Sequence, residues 1–201
     1  MTTITIRTAE APDLPQVRTA LSTAFFDDPV LRWAVPDDDR YRTVGPGLFG
    51  LYVEAFHRFR EIRTTADGAG AALWAPPGEE AVGDDEAEAF GHRVATVAGP
   101  DSVRCFELDA LMAERHPREP HWYLMVLGVV PAYQGLGIGS ALMAPVLERC
   151  DRDGAPAYLE ATTARSRALY ERHGFRTIGE ITLPGGPSLW PMWRAPAMAR
   201  V

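Results

Sequence analysis

The sequence predicts one α/β domain over residues 1–201, with a mixed sheet flanked by helices. A chain of 201 residues, 46% of them hydrophobic, suits a single domain with a substantial core. The segment HWYLMVLGVV at 121–130 is an almost continuous apolar run, which is typical of a strand buried on both faces. Strand and helix patterns alternate after this segment, as expected for a mixed sheet.

The first half of the chain is predicted to form an edge strand, several helices and a hairpin. Apolar alternation indicates strands, apolar spacing of three and four residues indicates helices, and an Asp-Gly pair indicates the hairpin turn. In chain order, the predicted elements are a strand at 4–8, a helix at 13–25, a turn-rich stretch at 25–39, a helix at 41–59, a hairpin at 60–78, an acidic loop and helix start at 79–88, and helices over 86–115 with a break at Gly99.

The second half is more regular, and no internal repeat or linker interrupts it. In chain order, its predicted elements are a strand at 121–130, a helix at 137–152, a strand at 155–162, a helix at 166–173, a strand at 174–183 and a short final strand at 188–194.

The charged residues exclude several function classes. A net charge of −7 argues against a nucleic-acid partner, because no basic patch is available to neutralise phosphates. All 20 basic residues are arginine, so the chain lacks the lysine that a Schiff base or a P-loop requires.

Localisation and metal binding are predicted from sequence features that the chain lacks. The longest apolar run is too short to span a bilayer, and the N-terminus lacks a secretory pattern, so we expect a cytoplasmic protein with no membrane partner. Cys105 and Cys150 fit no metal-ligand spacing and are expected to be reduced. The histidines form no i,i+4 pair, so no metal site is predicted.

A glycine-rich stretch, VVPAYQGLGIGSALM at 129–143, follows the central apolar strand and leads into a helix. Gln134, Gly137 and Gly139 stand at Q-x-x-G-x-G spacing. Free N–H groups and the helix dipole make such a turn an anion site. Side chains at Gly137 and Gly139 would keep a pyrophosphate from the amides, so we predict a phosphate-bearing ligand here.

A dinucleotide is one candidate for that ligand. Gly135 and Gly137 begin a G-x-G pattern, and Glu160 lies 23 residues beyond Gly137, where a ribose-binding acid would stand. Against it, the third glycine comes one position early. In addition, only about 40 residues follow Glu160, too few for the second half of a doubly wound sheet.

Two motifs together resemble the GNAT superfamily of N-acetyltransferases. VVPAYQGLGIGSAL resembles the segment that holds the acetyl-CoA pyrophosphate, and LEATTARSRALYERHGF resembles the strand, helix and turn that complete the cofactor site. Within the superfamily, HPREPHWYLMVLGVVP and GPSLWPMWR look most like puromycin N-acetyltransferase and related actinobacterial acetyltransferases. The resemblance implies a mostly antiparallel central sheet with a splayed strand pair that holds acetyl-CoA.

The resemblance also implies a cofactor site. Backbone groups of Leu127, Gly128 and Val129 would pair with the pantetheine arm, and amides in the glycine loop would bind the pyrophosphate. Thr163 stands where the family often has asparagine, which could weaken one contact. The implied cofactor-binding residues are Leu127, Gly128, Val129, Gln134, Gly135, Leu136, Gly137, Ile138, Gly139, Ser140, Thr163 and Tyr170.

Two residues are predicted to handle protons. Tyr170 occupies the position of the family's general acid, and a phenol stays protonated at neutral pH and can donate to a thiolate; alternatively it fills the core. Glu160 follows an apolar strand, where partial burial would raise its pKa towards that of a base; alternatively it is a solvated edge residue or an arginine partner. The backbone N–H of Val129 would stabilise the oxyanion.

The acceptor pocket is expected to use the aromatic residues of the first half and the C-terminal hairpin. Its predicted members are Phe26, Asp28, Trp33, Trp74 and Trp190, with Phe25 and Asp27 beside them. Asp27 and Asp28 could attract a cationic amine, although Asp-Asp-Pro is also a good turn.

The sequence therefore predicts an acetyl-CoA-dependent N-acetyltransferase that acts on a primary amine, expected to belong to a small molecule such as an antibiotic or a metabolite. Two alternatives remain open: a protein or peptide N-acetyltransferase, and a module that binds acetyl-CoA without catalysis. A homodimer through the Trp-containing C-terminal segment is a further expectation.

Overall fold

The computed structural model describes residues 4–197, in which strands from both halves of the chain join one sheet. The strands are β1 (Ile6–Thr8), β2 (Ile62–Thr65), β3 (Gly70–Ala75), β4 (Trp122–Val129), β5 (Ala157–Ala161), β6 (Arg176–Thr177), β7 (Ile181–Thr182) and β8 (Ser188–Arg194). The helices are α1 (Leu14–Ala24), α2 (Pro29–Ala34), α3 (Asp38–His57), α4 (Ala87–Ala98), α5 (Ser102–Arg115), α6 (Ile138–Asp153) and α7 (Ala164–Arg172).

The strand order is β1-β2-β3-β4-β5-β8-β6, and β7 also pairs with β8. Every described pairing is antiparallel except that of β4 with β5, which is parallel. This arrangement confirms the mixed sheet predicted from the strand and helix pattern, and the mostly antiparallel order that the family resemblance implies.

The parallel strands β4 and β5 separate soon after they meet. Only Trp122 and Tyr123 of β4 have register partners in β5. On the other side of β4, Leu73 pairs with Val126 and the next residue of β3 pairs with Leu124, so Met125 is the extra residue of a β-bulge. The bulge bends β4 at the point where β5 leaves it, and a cleft opens between them.

Helices cover both faces of the sheet. Buried side chains of α6 pack with Trp122 and Leu124 on one face, and those of α1 and α3 pack with Val126 on the other. Since Leu124 and Val126 would share a face in a regular strand, their separation shows that the bulge reverses the side-chain alternation. Leu127 and Val129 therefore face the α6 side.

Two segments differ from the sequence prediction. The turn-rich stretch at 25–39 contains the short helix α2, because Asp28 caps its N-terminus and Pro29 suits the first helical position. The strand predicted at 174–183 is reduced to β6 and β7, two residues each. The neighbouring strand β8 has no N–H to donate at Pro191, and no register pair of β8 with β6 or β7 includes this residue.

Candidate active site

A cleft of about 590 Å³ occupies the gap between β4 and β5. Its walls come from the C-terminal end of α1, the outer half of β4, the glycine loop, the start of α6, the end of β5 and the inner face of α7. The sequence motifs at 129–143 and 159–175 therefore meet at one cavity.

One wall is a backbone edge of β4 that does not pair with β3. Val130 N donates to Ala69 O at 2.9 Å, so these two residues form a hydrogen-bonded pair across the two strands. Such pairs recur at every second residue of an antiparallel ladder, and the next one joins Gly128 to Ala71 of β3. The backbone groups of Leu127 and Val129 consequently point away from β3, into the cleft. Gly128 lines the cleft, but its N–H and C=O face β3, in contrast to the pantetheine contact expected for it.

Gly128 has a packing role instead. A Cβ atom there would lie 2.8 Å from Leu21 and 3.0 Å from Ala24, both on α1. The absent side chain lets the end of α1 rest directly on β4, which brings Phe25 into the cleft wall.

The three loop glycines are required for different reasons. Gly135 and Gly137 have φ angles of +80° and +84°, a conformation that side chains rarely adopt, and a Cβ at either would meet no protein atom within 4 Å. Gly139 instead allows close packing, because its Cβ would lie 3.2 Å from Leu169 of α7. The prediction that a side chain at Gly139 would keep a pyrophosphate from the amides therefore gives only part of the reason for this glycine.

The amides of residues 135–140 donate to no acceptor within the described part of the chain. Gly137 starts α6 without a side-chain cap, so the positive end of the helix dipole is also free. Leu136 is 62% exposed and lies outside the cleft wall, whereas Ile138 and Ser140 are part of it.

Polar side chains surround this loop. Gln134 donates to Val129 O at 3.0 Å and accepts from Arg165 at 2.8 Å, so it ties the loop to both β4 and α7. Arg165 and Arg172 line the same end of the cleft. The Oγ of Ser140 lies 2.8 Å from Nε2 of His173. Free amides together with two guanidinium groups form an anion site.

Tyr170 lies on α7 with its ring packed edge-on against Phe175, and only 7% of the residue is exposed. Burial, and then the negative charge of Asp28, raise the pKa of its hydroxyl. The phenol stays protonated through the neutral range and faces the cleft, so it can donate a proton there.

The helix that carries Tyr170 begins at a capping box. Thr163 accepts from Ser166 N at 3.0 Å, and its own N–H donates to Ser166 Oγ at 3.2 Å. Thr163 lines the cleft as expected, but its hydroxyl oxygen already serves as the cap of α7.

Glu160 lies near the end of β5, and its side chain is only 3% exposed. Oε2 accepts from the hydroxyl of Tyr123 at 2.9 Å, while Oε1 is buried without a hydrogen-bond partner among the described residues. Burial raises the pKa of the carboxyl to about 7, and the hydroxyls of Tyr158 and Tyr123 partly offset that rise. A carboxyl with this pKa can take up a proton at neutral pH.

These surroundings disfavour both alternatives for Glu160. The side chain is not a solvated edge residue, and within residues 4–197 its nearest cationic candidate is His116, with Nδ1 at 4.0 Å from Oε1. No arginine is paired with it in that range.

Asp28 lines the cleft but is also a helix cap. Its Oδ1 accepts from Val30 N at 3.0 Å and Leu31 N at 3.1 Å, and its other oxygen accepts from the hydroxyl of Thr162. Burial raises the pKa of Asp28. Its neighbour Asp27 is exposed and lies at the cleft wall.

The structure does not bring Phe26, Trp33, Trp74 or Trp190 to the cleft. Phe25 lines the cleft in place of Phe26, because α1 ends at this point and the next residue turns away from the cleft.

Each of these four side chains has another partner. Phe26 packs edge-on against Tyr41 with ring centroids 5.6 Å apart, and Trp33 donates to Pro184 O at 3.1 Å. Trp74 is fully buried beneath α6, and Trp190 is covered by the guanidinium of Arg167 at 4.9 Å.

Sequence reasoning missed Tyr123 and His116, the polar neighbours of Glu160. His116 begins the segment HPREPHWYL and Tyr123 lies near its end. The two histidines of the segment, His116 and His121, lack the helical spacing that would have marked them as a functional pair. Their proximity arises from the pairing of β4 with β5, which brings Tyr123 opposite Tyr158.

Metal-binding clusters and membrane-spanning helices are both absent from residues 4–197. No group of three metal-ligating side chains occurs there, and none of the helices in that range is long and apolar enough to cross a membrane. Cys105 and Cys150 are both free thiols.

Comparison with known proteins places this geometry in context. The profile of the acetyltransferase (GNAT) family matches residues 51–175. An uncharacterized N-acetyltransferase of Schizosaccharomyces pombe is 29% identical in a 179-residue alignment that covers 83% of this chain and 72% of that protein. A mycothiol acetyltransferase of Brachybacterium faecium is 42% identical over 59 residues, only 28% of this chain and 18% of that protein.

Solved structures share the architecture. One described as histone acetyltransferase HPA2 and related acetyltransferase, from Corynebacterium glutamicum, has a TM-score of 0.75 and 28% identity and covers 100% of both chains. Arylalkylamine N-acetyltransferase 2 of Aedes aegypti has a TM-score of 0.72 and covers 96% of this chain and 99% of that one; at 17% identity it shows the fold alone.

Proposed function

The chain belongs to the acetyltransferase (GNAT) family, and we propose that it transfers the acetyl group of acetyl-CoA directly to the primary amine of a small molecule. One observation carries the proposal: a single cleft has free amides and arginines at one end and two proton-handling side chains, Tyr170 and Glu160, along its wall.

Acetyl-CoA, which the family generally uses, fits the groups in this cleft. The amides of 135–140, with Arg165 and Arg172, would hold its phosphates. The backbone groups of Leu127 would hold the pantetheine arm in the manner of an added strand. Of Val129 only the N–H remains available, since its C=O accepts from Gln134. When bound, acetyl-CoA supplies a thioester, an acyl group activated for transfer to nitrogen.

The chain's own residues then move two protons. Glu160 Oε1 accepts a proton from the amine, directly or through one water, because it is the unpartnered oxygen of the carboxyl. The hydroxyl of Tyr170 donates a proton to the departing sulfur. The N–H of Val129, which faces the cleft, donates to the oxygen that gains negative charge.

The charges in the cleft favour a cationic amine. Asp27 and Asp28 lie at the wall formed by the end of α1, and Glu160 lies at the end of β5, whereas the two arginines flank the glycine loop. Carboxylates at the acceptor end would attract an ammonium group, and Glu160 would then neutralise it.

A peptide amine is the second candidate. The Corynebacterium glutamicum structure is described as a histone acetyltransferase and related acetyltransferase, and it is similar to this chain along its whole length. The resemblance to puromycin N-acetyltransferase favours a small amine instead. A cytoplasmic location and a homodimer remain predictions.

Thiol release from acetyl-CoA across an amine panel tests the proposal. The panel contains an arylalkylamine, an aliphatic diamine, the aminonucleoside puromycin and a lysine-bearing peptide, each compared with acetyl-CoA alone. We expect at least one small amine to raise the rate above background and to yield an acetylated product. Release with the peptide alone would favour the second candidate, and acetyl-CoA binding with no release for any amine would indicate a non-catalytic module.

A further inference from the structure

The proton taken up by Glu160 has to leave it in every turnover. An amine that arrives as an ammonium ion loses two protons when its nitrogen forms the new C–N bond and the C–S bond breaks. One proton is recovered as the S–H of the released thiol, through Tyr170. The other must pass from Glu160 to solvent before the carboxyl can act again.

We propose that His116 carries this proton from Glu160 to solvent, as a relay residue outside the cleft. The inference rests on the proposed function, in which Glu160 is the base. His116 Nδ1 lies 4.0 Å from Glu160 Oε1, the oxygen without a hydrogen-bond partner. The two side chains differ in access to water: the imidazole is 34% exposed and the carboxyl 3%.

His116 is held in this place by aromatic contacts. It follows α5 as the C-terminal cap residue, and its ring packs edge-on against Tyr123 at 4.7 Å and Tyr158 at 5.0 Å between centroids. These rings belong to β4 and β5, the strands that also position Glu160. These contacts therefore hold the imidazole beside the carboxyl, although its ring has no hydrogen-bond partner within residues 4–197.

The other titratable groups around Glu160 offer no comparable route. Tyr158 is fully buried, and the hydroxyl of Tyr123 is already bonded to Glu160. His121 packs against His116 at 5.0 Å between ring centroids, but it is only 7% exposed and its Nδ1 lies 2.6 Å from Glu119 O. Among the described groups that face the carboxyl, His116 is the one that joins it to the surface.

The proton balance of the relay is simple. The 4.0 Å between Glu160 Oε1 and His116 Nδ1 exceeds a hydrogen bond, so the proton crosses through one bridging water or after the two side chains close to hydrogen-bond distance. The imidazolium then releases a proton from Nε2 to water, and exchange with water restores the starting tautomer. Burial, and then His121, lower the pKa of His116 to about 4. The imidazole is thus neutral at neutral pH. It takes up the proton of Glu160 only transiently, because the pKa of that carboxyl, about 7, is higher, and it passes the proton on to water rather than retaining it. His116 does not line the cleft, so this path stays open while substrates or products fill the cleft.

The coupling can be measured without any substrate. In an NMR pH titration of the free protein, the His116 ring signal should show a step near pH 7, where Glu160 titrates, and Glu160→Gln should remove that step. His92, exposed on α4, serves as an internal reference that the substitution leaves unchanged. Identical His116 curves in the two proteins would contradict the inference.

Turnover gives the second readout. We expect His116→Ala to lower kcat roughly tenfold to a hundredfold in weak buffer while the KM for acetyl-CoA stays within about twofold. Added imidazole should restore much of the loss, because a small base can enter the vacated space and accept the proton. His92→Ala is the matched control and should show neither effect.

The outcomes separate the two proposals. Normal kcat in His116→Ala, or a loss that no imidazole concentration reverses, would overturn the relay while leaving acetyl transfer intact. Absence of transfer in the unaltered protein across the whole amine panel would overturn the proposed function, and the NMR titration would still decide whether His116 and Glu160 are coupled. His116→Asn provides a second variant if the alanine protein fails to fold.

Discussion

The hydroxyl of Tyr123 donates to Oε2 of Glu160 at 2.9 Å, beside the last register pair that joins β4 to β5. Beyond this point the strands diverge and the cleft begins. The bond fixes the carboxyl at the apex of the gap and leaves its other oxygen for chemistry. Catalytic geometry is therefore built on the paired, rigid part of the sheet.

The Tyr123–Glu160 bond makes a pH prediction. Transfer requires ionised Glu160, so kcat should rise with pH through a pKa of about 7. Tyr123→Phe removes a hydrogen-bond donor that stabilises the carboxylate, so the rise of kcat should move to higher pH. Glu160→Gln should abolish this pH dependence and lower kcat roughly a hundredfold or more. Steady-state rates between pH 5 and 9 check both variants. A rise of kcat at the same pH in Tyr123→Phe as in the unaltered protein would refute the role of the bond.

Tyr170→Phe tests the acid. The substitution removes the proton donor and retains the ring that packs on Phe175, so kcat should fall roughly a hundredfold or more while acetyl-CoA affinity changes little. Tyr41→Phe is the matched control: its buried hydroxyl donates to Ser22 O at 3.1 Å, away from the cleft. It should cost about 1 kcal/mol of stability and leave kcat unchanged. Equal activity in the two variants would remove Tyr170 from the mechanism.

Gly137→Ala tests the anion site against a control of equal strain. Gly137 and Gly154 have φ angles of +84° and +68° at opposite ends of α6, and a Cβ atom at either would meet no protein atom within 4 Å. Alanine at either should cost about 1–2 kcal/mol of stability. Only Gly137→Ala should weaken acetyl-CoA binding, by roughly tenfold or more, because hydrogen bonds to a charged group are lost. Urea unfolding and calorimetry provide the two readouts; equal affinities would exclude the loop from binding.

Asp109 makes a prediction about stability. Burial raises its pKa to about 6, and the hydroxyl of Tyr52, 3.3 Å away, partly offsets the rise. Because the folded state binds the proton more tightly than the unfolded chain, the contribution of Asp109 to stability decreases as pH rises from about 4 to 6. At pH 7.5, Asp109→Asn should therefore raise the free energy of unfolding by ~1–3 kcal/mol.

That gain should nearly vanish at pH 3, where the carboxyl of Asp109 is protonated in the folded state and largely so in the unfolded chain. Glu107→Gln, on the same helix, makes the same change of net charge and should leave the free energy of unfolding nearly unchanged. Thermal unfolding of the three proteins at both pH values checks the sign. A loss of stability in Asp109→Asn at pH 7.5 would contradict it.

Part of the candidate site could be predicted from patterns within short stretches of the sequence. The glycine loop was predictable because positive φ and an uncapped helix start leave a sequence pattern at consecutive positions. Tyr170 and Glu160 follow motifs read along a single strand-turn-helix segment. The order and type of most elements could likewise be read from apolar periodicity.

Features that depend on tertiary packing could not be read in this way. Phe25 rather than Phe26 lines the cleft because α1 ends there against Gly128, a contact between distant segments. The bulge at Met125 reverses which side chains of β4 face α6, and no residue type in the sequence marks it. His116 meets Glu160 only because β4 pairs with β5. These relationships determine the chemistry around the base, and they arise from the sheet register.

Calorimetric titration with acetyl-CoA, with NADH as the control ligand, tests the central claim most directly. We expect saturable 1:1 binding of acetyl-CoA in the micromolar range and no heat of binding with NADH. No heat of binding with acetyl-CoA, together with binding of NADH, would contradict the claim. The free amides at 135–140 and the carboxyl of Glu160 would then bind a dinucleotide.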